Sequence, residues 1–179
     1  MFMKYVALLR GVNVGTTRWV DMKRLKALFA RLGYTAVSSY LNSGNVLFEA
    51  AGKAPALRAA IEAAIKAEFG FDVQVLVKSE REMKAIAAAI PSAWVNDDKQ
   101  RTDVAYLFPE IDSARTLAEL PLNKEYVDAR YTKGALYWNL QRKNLYKSRL
   151  NKLISHAHYR LMTLRNINTA RKLGGREER

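Results

Sequence analysis

Residues 57–77 read LRAAIEAAIKAEFGFDVQVLV, and this stretch decides the fold. Leu57, Ile61, Ile65 and Phe69 recur at steps of four, which lines them along one face of a helix. Gly70 ends that helix, because glycine enters the left-handed C-terminal cap without a steric cost. Val73, Val75 and Val77 then alternate, which is the period of a strand. The chain therefore passes from helix to strand across one step, Phe69-Gly70-Phe71.

The same step occurs earlier, as Leu32-Gly33-Tyr34. Before it, Met22, Leu25, Leu28, Phe29 and Leu32 fall at three- and four-residue spacings, with Asp21 placed to cap the helix they define. The apolar run Tyr5 to Leu9 suits a strand buried on both faces. Tyr34 to Leu41 and Val46 to Phe48 flank Asn42-Ser43-Gly44-Asn45 and predict a hairpin. Residues 1–78 thus read βαββαβ, the order of a ferredoxin-like unit.

A connector over 79–101 follows, with Ser79 and Glu82 at capping-box spacing, a short helix ended by Pro91, and the polar stretch Asn96 to Arg101. Residues 102–165 repeat the order. Strands are expected at Thr102 to Phe108, at Tyr126 to Tyr131, at Ala135 to Leu140 across the Lys133-Gly134 turn, and in a short extended piece at Leu161 to Thr163. Helices are expected near Asp112 to Leu120 and at Ser148 to His158. Residues 166–179 form a last helix through Lys172 and a tail from Gly174 without apolar periodicity, expected to be loose. The predicted class is α+β: two ferredoxin-like units, each too small to bury much surface alone and so packed together, with an additional C-terminal helix.

Composition narrows the function classes. At 49% hydrophobic residues without a low-complexity tract, the chain should fold. It has no cysteine, which excludes disulfides, thiolate metal sites and cysteine nucleophiles. Arg10 and Asn13 interrupt the first apolar run before signal-peptide length, and no later run approaches bilayer-spanning length, so no membrane association is expected and the cytoplasm is the expected location. The formal charge of +13, from 30 Lys and Arg against 17 Asp and Glu, favours nucleic acid or another anionic partner, although solubility alone also accounts for a basic surface.

Four polar clusters fall at the ends of predicted elements. Arg10-Gly11-Val12-Asn13-Val14-Gly15 follows the first strand; its glycines allow close backbone approach and Arg10 suits a phosphate or carboxylate, yet it lacks the Gly-Lys-Ser/Thr ending of a Walker loop. In the second cluster Asn42, Ser43 and Asn45 offer donors and acceptors, or simply form the turn. Lys147-Ser148-Arg149-Leu150-Asn151-Lys152 places Ser148 as an N-cap and Arg149 and Lys152 where cations oppose a helix dipole unless an anion is bound. In Thr163-Leu164-Arg165-Asn166-Ile167-Asn168-Thr169, Asn168 or Thr169 caps the last helix, Asn166 closes a turn, and Arg165 is left without a structural role.

From Ala129 to Arg176 there are twelve basic residues and no acidic one, with Tyr131, Tyr137, Trp138, Tyr146 and Tyr159 interleaved, the ingredients of single-stranded nucleic-acid binding. Residues 133–140 match the RNP1 pattern only in part, and alternation on a strand sends at least one of Tyr137 and Trp138 to the core. His156 and His158 are two apart and cannot chelate from one helix face, and no nucleophile elbow, metal motif or cofactor fingerprint is present.

Together the four clusters resemble the bacterial domain of unknown function 1697 family, through residues 5–15, 41–46, 148–152 and 163–169 in order. The resemblance implies two ferredoxin-like units with an added C-terminal helix, and no established activity. Ile167 stands where that family usually has Trp, and Thr16-Thr17-Arg18-Trp19 replaces a loop usually rich in Gly, Lys and Asn.

The expected function is binding of an anionic ligand, nucleic acid (RNA or DNA) or a nucleotide, by Arg10, Asn13, Asn42, Ser43, Asn45, Ser148, Arg149, Asn151, Lys152, Arg165, Asn166 and Asn168, without metal or cofactor. The alternatives are an enzyme that clamps a small phosphorylated or carboxylated substrate with the same arginines, and an interaction module with an open sheet face.

Overall fold

Five successive buried residues, Tyr5 to Leu9, make β1 (Met3–Leu9) the centre of the first sheet. In the computed structural model, which describes residues 1–175, the chain divides into two compact units, Met1–Arg81 and a second beginning at Glu82. The tail expected to be loose lies, over residues 176–179, outside the described residues.

In the first unit β1 is followed by α1 (Met22–Arg31), β2 (Thr35–Ser39), β3 (Asn45–Ala50), α2 (Ala54–Phe69) and β4 (Val75–Ser79). The strands form an antiparallel sheet in the order β2-β3-β1-β4. Asp21 caps α1 as its position predicts, its Oδ1 accepting from the Arg24 N–H at 2.7 Å. Gly70 takes a φ of 80° and its N–H closes α2 onto Lys66 O at 2.9 Å. Leu25, Leu28 and Phe29 of α1 and Leu57, Ile61 and Ile65 of α2 share one core with Ala7, Leu9, Val46, Phe48 and Val75. Phe29 meets Phe48 edge-on at 5.2 Å, and each fully buried ring contributes about 1.5–3 kcal/mol.

The second unit takes in most of α3 (Glu80–Ala89), then β5 (Gln100–Leu107), α4 (Ala114–Glu119), β6 (Asp128–Thr132), β7 (Ala135–Gln141), β8 (Met162–Asn166) and α5 (Ile167–Leu173). Its strand order, β6-β7-β5-β8, is that of the first sheet. Ala105, Leu107, Leu136, Trp138, Leu140 and Met162 form the core on one face with Leu120, Val127, Leu150 and Leu153. Beyond β8, α5 buries Ile167, Ala170 and Leu173. Gly174 follows it so close to α3 that a Cβ there would lie 2.4 Å from Ala87 Cβ. The fold is α+β, two ferredoxin-like units with an additional C-terminal helix.

Two expectations change. Ser148 to His158 is not an α-helix; the crossover from β7 to β8 runs instead through 3₁₀ turns, among them Leu150–Lys152 and Ala157–Leu161. Local side chains capture the backbone groups an α-helix would use: Ser148 Oγ donates to Leu145 O and accepts from the Leu150 N–H, and Ser155 Oγ donates to Lys152 O. Arg149, at a φ of 63°, sits in the left-handed region and interrupts any right-handed run. The extended piece read as Leu161 to Thr163 is the longer β8, because β5 pairs with it from Leu107↔Met162 to Asp103↔Asn166.

Candidate functional site

The first two clusters come together within the first unit. Gly44 lets the hairpin turn seat on the end of β1: its C=O accepts from the Leu9 N–H at 2.8 Å, and a Cβ there would lie 2.6 Å from Leu9 Cβ and 2.8 Å from Val12 Cγ2. Its φ of 80° adds a second reason for glycine. Asn13 fastens the two loops. Its Oδ1 accepts from the Val20 N–H at 2.7 Å, while its Nδ2 donates to Val20 O at 2.9 Å and to Asn42 O at 2.6 Å.

These bonds change the reading of the polar residues. Asn13 is engaged at both ends of its amide. Asn45 is fully buried and donates to Tyr40 O at 2.8 Å and Ser43 Oγ at 3.0 Å. These side chains hold turns that β-branched or apolar residues would leave unsatisfied. Arg10 is half-buried at the end of β1, where its N–H donates to Gln74 O at 2.9 Å, and Asn42 is exposed. Around them Val14, Trp19 and Leu41 stand exposed.

The third cluster forms a cleft of about 450 Å³ in the second unit, lined by Asn123, Glu125, Tyr126, Tyr146, Lys147, Arg149, Asn151 and Lys152. Ser148 is not part of its surface. Fully buried, it anchors the turn from below, and its C=O accepts from the Asn123 N–H at 3.0 Å, which brings the residues before β6 against the turn. Tyr126 lies there with Lys147 Nζ 5.3 Å from its ring centroid, a cation–π arrangement. A hydrogen bond to the Glu125 carboxylate raises the Tyr126 phenol above its ordinary pKa, so the ring carries no charge at neutral pH. Tyr146 is 89% exposed. The lining therefore sets three cations against one carboxylate and adds two aromatic rings.

The fourth cluster does not join the third. Met162 and Leu164 pack on the face of the sheet that holds Leu150 and Leu153, so alternation turns Thr163 and Arg165 to the opposite face. Arg165 is 9% exposed and donates through Nη1 to Thr163 Oγ1 at 2.9 Å and to Leu164 O at 2.8 Å. Burial is the main cause of its pKa falling to about 10. The cap of α5 is Asn166 rather than Asn168 or Thr169: its Oδ1 accepts from the Thr169 N–H at 2.9 Å, and Asn168 is exposed in the first turn.

Tyr126 and Glu125 join the site without any signal in the sequence. They lie more than twenty positions before Arg149 and carry no motif; the Asn123–Ser148 bond and the Lys147–Tyr126 contact join them to the turn. Tyr146 was legible as one of the aromatics among the basic residues. Tyr137 and Trp138 of the partial RNP1 match are both buried, at 4% and 0% exposure, so β7 offers neither ring for stacking. Among the described residues no group of three or more His, Cys, Asp or Glu is placed to hold a metal ion, and no helix is long and apolar enough to cross a membrane.

Two ferredoxin-like units and an added C-terminal helix define the class to which this architecture belongs. The chain matches the family described as Protein of unknown function (DUF1697) over residues 3–137, and it belongs to that family. The matched span takes in the Arg10 and Asn42 clusters and, of the cleft, Asn123, Glu125 and Tyr126, and ends before Tyr146 to Lys152. Among solved structures the chain is similar to the conserved bacterial protein SP0830 from Streptococcus pneumoniae, at 26% identity over 98% of each chain with a TM-score of 0.84. No curated protein matches it.

Proposed function

We propose that this protein binds a phosphate-bearing ligand of the nucleic-acid class at the cleft formed by Lys147, Arg149, Asn151 and Lys152 with Tyr126 and Tyr146. The observation that carries the reading is the convergence of three cations and two phenol rings on one concavity. Cations neutralise phosphate, and aromatic faces stack bases without regard to sequence. On this reading the protein works in the cytoplasm, and Arg10 and Asn42 are outside the primary contact set.

The test is fluorescence anisotropy with labelled single-stranded RNA and DNA at several salt concentrations. Three neutralised phosphates give a log–log slope of about −2, so a fourfold rise in salt weakens binding roughly twentyfold. A flat salt response would remove strands as the ligand, and binding at low salt by neither strands nor nucleotides would remove the proposal.

A further inference from the structure

A second and larger cavity, of about 620 Å³, adjoins the cleft: Glu125 and Tyr126 line both. Its character differs. Leu117, Leu120, Leu122 and Leu140 give it apolar walls, and Gln141, Lys124 and Asp128 add polar groups, whereas Asn139 Nδ2 is committed to Gln100 Oε1 and Thr102 Oγ1 at 2.8 Å each. Four of those residues, Leu117, Leu120, Leu122 and Leu140, belong to or pack on the core of the second unit, so the cavity is backed by a rigid scaffold rather than by loops alone. Its volume lies within the range of small-molecule sites, which are mostly apolar with a few polar groups. A phosphate alone does not need such a space.

We infer that the two cavities form one composite site for a nucleoside monophosphate unit, with the phosphate among Lys147, Arg149 and Lys152 and the nucleoside in the larger cavity. This rests on the phosphate-binding reading of the cleft and specifies its ligand. The base is flat and largely apolar with donors and acceptors at its edge, which matches apolar walls with the Gln141 amide at their margin. The Glu125 carboxylate at the junction, which also accepts from the Tyr126 phenol, is an acceptor for sugar hydroxyls. The larger cavity carries both Lys124 and Asp128, whereas the cleft is set three cations to one carboxylate, which favours the phosphate on the cleft side. The unit is either a free nucleotide or the phosphorylated 5′ end of a strand, which share this chemistry.

Isothermal titration calorimetry on the full chain, using the four common ribonucleoside 5′-monophosphates, adenosine and inorganic phosphate, tests the inference. At least one monophosphate should bind about tenfold or more tightly than inorganic phosphate and than adenosine. Lys152→Glu should weaken both phosphate and monophosphate. Ala118→Trp, which fills the larger cavity from an exposed position on α4, should reduce the monophosphate to the affinity of phosphate and leave phosphate unchanged. Equal affinities for monophosphate and phosphate, or an Ala118→Trp variant that binds monophosphate as before, overturn the composite site. Strand binding without monophosphate binding overturns it too while leaving the cleft reading intact. Failure of strands, nucleotides and phosphate alike overturns both. Tighter binding of a 5′-phosphorylated oligonucleotide than of its unphosphorylated twin supports the composite site and identifies the strand end as the source of the unit; preference for the free nucleotide supports it with the other source.

Discussion

Arg149 combines two properties that oppose each other in a protein selected for stability alone: a long cationic side chain and a φ of 63°. The left-handed conformation costs a non-glycine residue roughly 1–2 kcal/mol, and glycine escapes that cost while adding some of its own in lost chain entropy. Arg149→Gly should therefore leave the stability unchanged or raise it by up to about 1 kcal/mol, while weakening ligand binding severalfold. Chemical denaturation beside a binding titration checks both halves, and a stable variant that binds normally would show that the arginine is incidental. The same contrast explains what was legible residue by residue. Asn13, Asn45, Ser148 and Asn166 read from sequence as ligand contacts, but each is engaged by nearby backbone groups. A polar side chain in a turn carries the same signature whether it faces a ligand or its own chain, and only the fold decides.

Between elements, α4 and the 3₁₀ turn Ala157–Leu161 are joined by Glu119 and His158, whose Oε2 and Nε2 lie 2.6 Å apart. The hydrogen bond from His158 is the main cause, and that from Arg115 the second, of a Glu119 carboxyl held below its ordinary value of 4.5. A depressed carboxyl stabilises the fold above its unfolded-state pKa, and that contribution disappears as pH falls through the folded value. Acid below about pH 4.5 should therefore loosen this contact first on the α4 side. An NMR titration of the Glu119 carboxyl should show the lowered midpoint in the native protein and its return toward the ordinary range in His158→Ala. An unchanged midpoint in that variant would show that the contact does not form in solution. Element order was legible throughout, since the periods of helix and strand are written in Leu57 to Val77 and in Met22 to Tyr34. The second crossover was not. Its apolar residues permit a helix, and the side-chain bonds of Ser148 and Ser155 that prevent one leave no periodic trace.

At the scale of the whole chain, a net charge of +13 produces self-repulsion that salt screens. Moderate salt should thus raise the melting temperature, the opposite of its expected effect on ligand affinity. Calorimetric scans from about 20 to 200 mM salt check this, and a falling melting temperature would mean that favourable ion pairs outweigh the repulsion. Charge and α+β class were readable from composition and pattern, because both are sums over the sequence. The meeting of residues 123–126 with residues 146–152 was not, because it is made by contacts between residues more than twenty positions apart, among them Asn123 N–H to Ser148 O and Lys147 to the Tyr126 ring.

Asn13 closes the base of its loop by bonding both the N–H and the C=O of Val20, and Val14 to Trp19 hang beyond that closure, exposed. Changes of length there give up the Val14–Thr17 bridge and the Asn13 N–H to Arg18 O bond but touch no buried residue, and loop-closure entropy adds about 0.6 kcal/mol for each doubling. The clamp therefore sets a boundary: a change of loop beyond it leaves the Asn13–Val20 bonds in place, and with them the end of β1 and the approach to α1. Thr16-Thr17-Arg18-Trp19, the stretch in which the chain departs from the loop its family resemblance implies, lies wholly beyond that closure.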